Sequence, residues 1–298
     1  MQKLIFLFII TVLIQFNLAA CDACGCSISG NGLGILGTFR NNSVGLSWQT
    51  IRFQGALGHG EQATDDFNSI ELTARYYLND RLKVLVNLPY RYNQRQVDDG
   101  TLSLFGIGDA RVVASYTVLR DQPLGATGNA FFEIGGGIKL PTGVYNPDLH
   151  DTDLPENFNV GNGNWGYVLQ PNLILSHEQF GLVLGGVLQY FSKSTDDYRF
   201  GHQYSSRALL YLDQQINSQW QIIPNAGIIY EQISSDTYAN GRLVDATSGS
   251  GTYATVGVNL RNEYFLLGVA WIQPLSTSYS NDEVIAKRRI SCQLSYLF

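Results

Sequence analysis

The stretch Ile70-Glu71-Leu72-Thr73-Ala74-Arg75-Tyr76-Tyr77-Leu78 separates cleanly by parity. Ile70, Leu72, Ala74, Tyr76 and Leu78 form one row, and Glu71, Thr73, Arg75 and Tyr77 form the other. Successive side chains of a strand point to opposite faces, so this stretch reads as a β-strand with one apolar face and one wet face. The next run repeats it, with Leu82, Val84, Val86 and Leu88 opposite Arg81, Lys83, Asn87 and Arg91. Ala110 to Val118 sets Asp109, Arg111, Ser115 and Thr117 against an apolar row, and Ile134 to Leu140 does the same with Glu133 and Lys139. Thr252 to Leu260 alternates likewise against Asn259 and Arg261. Less regular runs fall near 44–54, 165–176, 180–192, 204–215, 220–232, 264–275 and 286–298, which brings the expected strands to about twelve.

A soluble sandwich also alternates, so the connections have to decide. Asn79-Asp80, Ser176-His177-Glu178, Ile216-Asn217-Ser218 and Arg261-Asn262-Glu263 read as tight turns, with Arg120 to Gly128 a longer fifth. Between them lie long polar segments at 55–66, 93–101, 143–163, 194–203, 233–250 and 277–285. Strict alternation of short and long joins is what an up-and-down barrel requires when one rim carries turns and the other carries loops. The expected fold is therefore all-β: a transmembrane antiparallel up-and-down β-barrel of about 12 strands, with both termini at the inner rim. Trp48, Tyr90, Tyr92, Tyr116, Tyr190 and Trp271, near strand ends, suit the aromatic girdles of such a barrel.

Composition agrees. Of 298 residues only 15% are charged, against about 25% in soluble proteins, and 31 are Gly while one is Met. A formal charge of −6 provides no basic surface for a phosphate backbone, so nucleic acid is not an expected partner. No stretch after the N-terminus reaches the ~18 consecutive apolar residues of a spanning helix, and lipid tolerates no other spanning structure than a closed barrel.

With the apolar rows against lipid, Glu71, Arg75, Arg81, Lys83, Arg91, Asp109, Arg111, Glu133, Lys139, Arg207, Asp213, Glu231 and Arg261 are expected to line the lumen. An Arg or Lys turned to the bilayer midplane costs about 2–4 kcal/mol, which fixes the direction. Function is less constrained: a mutually paired network that fills the lumen and a narrow polar pathway both fit.

Residues 1–20 have the layout of a secretory signal: Lys3, an apolar run from Leu4 to Phe16, then Ala19 and Ala20. Its removal leaves 278 residues with a formal charge of −7, because Lys3 is the only charge lost. Leu18-Ala19-Ala20-Cys21 also matches a lipobox, in which Cys21 carries a lipid. Residues 21–43 form a Cys-rich periplasmic segment and 44–298 the barrel. Cys21, Cys24 and Cys26, with Gly25 easing the turn, have the spacing to wrap a soft ion such as Cu(I) or Zn(II). A disulfide between two of them and lipid anchoring without metal are the alternatives. Cys292, between Ile290 and Leu294 on its face, is expected to face lipid. The loop from Asn146 to Glu156 clusters carboxylates around His150 without the spacing of an EF-hand, and reads as a solvated acidic loop.

The last strand sets Ile290, Cys292, Leu294, Tyr296 and Phe298 against Arg289, Ser291, Gln293 and Ser295. It resembles the C-terminal assembly signal of bacterial outer-membrane proteins, which implies the assembly machinery as a partner. Gly106-Ile107-Gly108-Asp109-Ala110-Arg111, then Lys139-Leu140-Pro141-Thr142-Gly143, then Gly161-Asn162-Gly163-Asn164 resemble, in order and spacing, the outer-membrane barrels named for the meta-pathway (MetA-pathway) of phenol degradation. Asn164 stands where that pattern has Ser. The resemblance covers about residues 44–298 and implies a transporter-like barrel in the outer membrane of a Gram-negative bacterium, without naming a phenolic cargo. The physical reading gives the motifs architectural roles: Pro141 cannot donate to a ladder and ends pairing, and Gly106 and Gly108 let the chain bend where a strand enters the wall. The Cys-rich head is similar to that of exported barrels of Bacteroidota type associated with copper handling.

The leading functional expectation is an outer-membrane channel for a small solute or metal ion, with the thiols as a periplasmic receiving site and no resident cofactor beyond a Cu(I) or Zn(II) ion. A closed structural or adhesive barrel is the alternative. A lipid-hydrolysing enzyme would need a paired Ser and His, for which only Ser176-His177 and His202 with Ser205 are near in sequence; neither pair has an evident third residue.

Overall fold

The computed structural model describes residues 40–298, apart from 57–61, 99, 150–153, 155, 194–197, 239 and 281. Fourteen strand segments form one closed antiparallel sheet. They are β1 (Ser43–Ala56), β2 (Gln62–Tyr77), β3 (Leu82–Val97), β4 (Gly100–Ile107), β5 (Arg111–Leu124), β6 (Gly128–Lys139), β7 (Gly166–His177), β8 (Phe180–Phe191), β9 (Gln203–Leu212), β10 (Gln214–Gln215), β11 (Gln221–Ile233), β12 (Gly249–Arg261), β13 (Phe265–Tyr279) and β14 (Val284–Leu297). β3 pairs with β4 along Tyr90 to Val97 and with β5 along Leu82 to Asn87, so β4 and β5 are two halves of one wall strand. Two-residue β10 only extends the join before β11. The barrel therefore has 12 strands. β14 pairs with β1 from Leu297↔Ser43 to Val284↔Gly55, which closes the cylinder.

Cross-strand pairing fixes which side each row faces. The row Ser47↔Glu71, Ser43↔Arg75 and Lys83↔Ser115 points inward, and the row Leu46↔Leu72, Trp48↔Ile70 and Val86↔Val112 points outward. Leu46, Ile70, Leu72, Val256 and Val269 are all exposed on the outside while Arg75, Lys83, Glu133 and Arg289 are buried inside, the inverse of a soluble protein. The exterior is thus the lipid face of a membrane-spanning barrel. Trp48, Tyr90, Tyr92, Tyr116, Tyr190 and Trp271 are all exposed on it. Cys292 lies on the same side, paired with Trp48 and Val269.

Two segments expected as loops are strand. β2 starts at Gln62 and the β3–β4 hairpin runs on through Val97 and Gly100, where polar sequence hid the alternation. Cross-strand ion pairs hold these polar residues in the ladder. Arg95 Nε and Nη2 donate to Asp65 Oδ1 and Oδ2 at 2.8 and 2.7 Å on the inward face. Arg52 grips Asp66 in the same two-pronged way at 2.7 and 2.8 Å.

The connection from β6 to β7 folds inward. Leu149, Leu154 and Phe158, the last in a 3-10 turn (Glu156–Phe158), are buried against Ile51, Phe53, Phe67, Ile229, Tyr253, Ile272 and Tyr279 of the wall. Phe158 sits 4.9 Å from the Phe67 ring, and its carbonyl accepts from Asn93 Nδ2 at 2.9 Å. The expectation of a solvated loop is corrected at Leu149 and Leu154, which with Phe158 just after the loop are buried in the lumen, and burying each is worth about 1.5–3 kcal/mol.

Candidate functional site

The lumen has two halves of different chemistry. Towards the outer rim the apolar cluster around Phe158 occupies it, bounded by one-to-one ion pairs. Arg95 meets Asp65 and stacks 5.1 Å over Phe158. Arg289 meets Glu231 at 2.9 and 2.7 Å through both prongs and lies 4.1 Å over the Tyr253 ring. Tyr253 and Tyr279 share a 2.6 Å hydrogen bond beside them.

A third pair sits where the wall strand breaks between β4 and β5. Asp109 Oδ2 accepts from Lys139 Nζ at 2.7 Å and from the Asn162 amide at 2.8 Å, while its Oδ1 accepts from the Gly143 amide at 2.9 Å. Lys139 Nζ also donates to Asn162 Oδ1. Thr142 Oγ1 accepts from the Ala110 amide and donates to the Gly108 carbonyl. Gly143 and Gly161 touch so closely that a Cβ on either would lie within 3 Å of the other's backbone. Gly163 takes φ +63° against the Tyr145 ring, where a Cβ would come within 2.5 Å of the ring. The three short motifs read separately in the sequence are one knot. It ties both ends of the inward-folding segment to the break in the wall.

Towards the inner rim the balance changes. Lys83 lies 2.7 Å from Glu133 and 5.7 Å from the Tyr77 ring, whose other neighbour is Arg75 at 5.9 Å. Arg75 and Arg207 are both within electrostatic reach of the same Glu133. Arg75 also interacts with Arg261, and Arg261 with Asp213 at the rim. Asn41 spans these arginines: its carbonyl accepts from Arg75 Nε at 3.0 Å and its Oδ1 from Arg261 Nη2 at 3.1 Å. Asn41, just before β1, thus lies at the inner mouth, and the Phe298 amide donates to the Asn42 carbonyl beside it.

Of the residues expected in the lumen, Glu71, Arg75, Lys83, Arg91, Arg111, Glu133, Lys139, Arg207, Glu231 and Arg261 have inward registers. Glu71 accepts from Asn87 Nδ2 at 2.7 Å. Asp109 lies in the wall break, and Asp213 lies at the rim between β9 and β10. Arg81 departs from the expectation: it precedes β3, is exposed, and its Nη1 donates to Tyr116 Oη on the outer surface. Parity fails there because the turn Leu78 to Leu82 interrupts the ladder. The sequence reading missed Asp65, Arg95 and Arg289, although Arg289 stood in the polar row of the last strand. Cys21, Cys24 and Cys26 lie outside the described residues; among those described no group of three or more His, Cys, Asp or Glu could hold a metal. His177 Nε2 contacts Thr127 Oγ1 at 2.8 Å, and His202 Nδ1 accepts from the Phe191 amide at 3.2 Å, so each imidazole is engaged away from its neighbouring serine.

Residues 58–262 match the family described as "Putative MetA-pathway of phenol degradation". The chain belongs to this family. The chain is similar in fold to an outer membrane channel from Pseudomonas putida F1, with 16% identity, 87% of this chain and 96% of that one covered, and a TM-score of 0.62. It is similar also to the β domain of the Bordetella autotransporter BrkA, with 10% identity, 87% and 100% coverage, and a TM-score of 0.51. No curated protein matches it.

Proposed function

We propose that this barrel is a conduit of the outer membrane of a Gram-negative bacterium for small organic solutes with an apolar body. The observation that carries the reading is the greasy plug that Phe158, Leu149 and Leu154 form in the lumen against Phe53, Phe67, Ile272 and Tyr279. A porin for sugars or salts gains nothing from an apolar stretch in its path. An aromatic or aliphatic solute partitions into one, at about 25 cal/mol per Å² of its surface removed from water. The family description supports the same class of cargo, and the fold shared with an outer membrane channel of Pseudomonas putida F1 supports a conduit. Loss of the Phe158 ring opens a gap in the plug. In proteoliposomes the Phe158→Ala variant is expected to pass benzyl alcohol several-fold faster than the parent, with the strands intact by circular dichroism. Equal rates for parent, variant and empty liposomes would refute the proposal.

Cys21, Cys24 and Cys26 fit a second, attached role as a Cu(I) or Zn(II) receiving site. Its support is that Arg40 and Asn41, fourteen and fifteen residues after Cys26, lie at the inner mouth of the lumen. Metal analysis of the mature protein after exposure to each ion, against a variant with all three cysteines replaced by Ser, decides it. The C-terminal strand supports delivery by the barrel-assembly machinery through its alternating, aromatic-ended pattern.

A further inference from the structure

We infer that the exterior of the barrel carries a binding site for a phosphorylated glycolipid of the outer leaflet, at the seam of β14 and β1. The inference goes beyond the conduit reading and rests on the outer-membrane placement proposed with it. Among the described strands every Lys and Arg faces the lumen, except Arg120, which meets Asp80 at the inner rim, and three that gather at one place on the outer half: Arg52, Lys287 and Arg288. A bulge places them. Ile51 pairs with Arg289 and Phe53 with Ala286, so Arg52 alone stands opposite both Lys287 and Arg288. The flanking Ile51, Phe53, Ala286 and Arg289 are all buried inside, which leaves the three cations between them on the exterior. Arg52 grips Asp66 with half of its side chain still exposed, whereas the side chains of Lys287 and Arg288 have no partner among the described residues. Next to β14, strand β13 has no charged residue, and the next carboxylates along β14, Glu283 and Asp282, stand in the turn beyond it, four and five residues from Lys287. Three cations against the one carboxylate of Asp66 leave two positive charges on the patch.

The same two strands supply a greasy track below the cations. A groove of about 560 Å³ runs on the exterior over Leu46 and Trp48 of β1, Cys292 and Leu294 of β14, and Val258 and Val269 of the strands beyond. Arg52 lies four residues past Trp48 towards the outer rim, and Arg288 four residues past Cys292, which Trp48 faces across the ladder. That is about 13 Å along each strand. Trp48 and Trp271, both exposed here, mark the aromatic girdle between hydrocarbon and headgroups. The groove therefore lies at the depth of acyl chains, and the cations at headgroup height, where an outward charge costs little. Like charges gathered at one bulge repel each other, and a phosphate between them removes that cost. A guanidinium takes phosphate oxygens through two parallel hydrogen bonds, and the lysine ammonium adds a compact charge. A phosphorylated sugar borne on acyl chains joins both halves of the site in one molecule.

Native mass spectrometry of the full mature protein in detergent tests this with diphosphoryl lipid A and its dephosphorylated counterpart. The parent is expected to retain the first at concentrations where it sheds the second. The double variant Lys287→Gln, Arg288→Gln is expected to bind diphosphoryl lipid A about tenfold more weakly, through the loss of charge-assisted contacts. Arg242→Gln, which removes an exposed cation of an outer loop, is expected to leave binding unchanged. Equal retention of the two lipids, or unchanged binding in the double variant, would overturn the inference. Displacement of the lipid by an equal concentration of inorganic phosphate would overturn it too, since the site would then take the free anion. Should the double variant not fold, Arg288→Gln alone and the contrast between the two lipids on the parent still decide. Benzyl alcohol uptake into proteoliposomes made without lipid A measures the conduit by itself, and cell fractionation measures the placement. Binding blind to phosphate in an outer-membrane protein removes only this site, whereas absence from the outer membrane removes the placement on which it rests.

Discussion

In the outer half of the lumen Arg95 faces Asp65, Arg289 faces Glu231 and Lys139 faces Asp109, one cation to one carboxylate. In the inner half Arg75, Lys83, Arg207 and Arg261 share Glu133 and Asp213. Pairing with good geometry fixes side chains in place, and the outer half is where a folded-in segment has to be held. Shared charge makes each cation less dependent on any one carboxylate. The same residue types therefore form closed pairs at one end of the lumen and a shared cluster at the other.

The sharpest way to break this contrast is to remove one partner from each half. Glu231→Ala strands Arg289 beside Tyr253, and urea unfolding in lipid vesicles is expected to show a loss of about 3–5 kcal/mol. The outer half also contains an exception to its own rule. Asn164 is buried with neither amide atom hydrogen-bonded, so Asn164→Ser, the smaller residue of the related pattern, is expected to gain about 1 kcal/mol by removing an unsatisfied group. Lys83→Met in the inner half is expected to cost less than Glu231→Ala in the same unfolding measurement, because Arg75 and Arg207 remain within electrostatic reach of Glu133. A cost equal to that of Glu231→Ala would erase the difference between the halves.

The smallest expected effect lies outside both. His202, in the loop before β9, has its pKa pushed down by burial and by Arg199, since protonation would be poorly solvated and repelled. The folded state thus binds the proton less well than the unfolded chain. The stability it contributes is full above the ordinary value near 6.5 and fades as pH falls through the depressed folded one. The neutral ring accepts from the Phe191 amide, so acidification is expected to loosen the join between β8 and β9. The change is expected to be small, because His202 is only partly buried and solvent screens its charge. Faster amide exchange at Phe191 at pH 5 than at pH 7.5, after correction for intrinsic rates, checks it.

The wall was readable because alternation is local: Glu71, Arg75 and Lys83 declare their side by their neighbours in the chain. The strand that breaks at Gly108 was not, because its break depends on Lys139 and Asn162, far away in sequence. Asp109 and Lys139 look like any inward charges until the fold brings them together. Asp65 and Arg95 were hidden for a similar reason, each sitting in sequence too polar to alternate and made strand-like by the other. Phe158 gave one faint sign, an aromatic late in a polar loop with Leu149 and Leu154 before it. Reading it as a stopper needed the inward faces of Phe53 and Phe67, which only the closed cylinder brings opposite.

The join of β14 to β1 unites the earliest and latest parts of the wall, Ser43 beside Leu297. A nascent polypeptide halted before Val284 would hold two raw borders, on β1 and on β13, whose amides and carbonyls the hydrocarbon interior cannot solvate. Insertion must therefore wait for the last strand, Val284–Leu297, and a truncation that removes it should leave a stranded intermediate rather than a smaller cylinder.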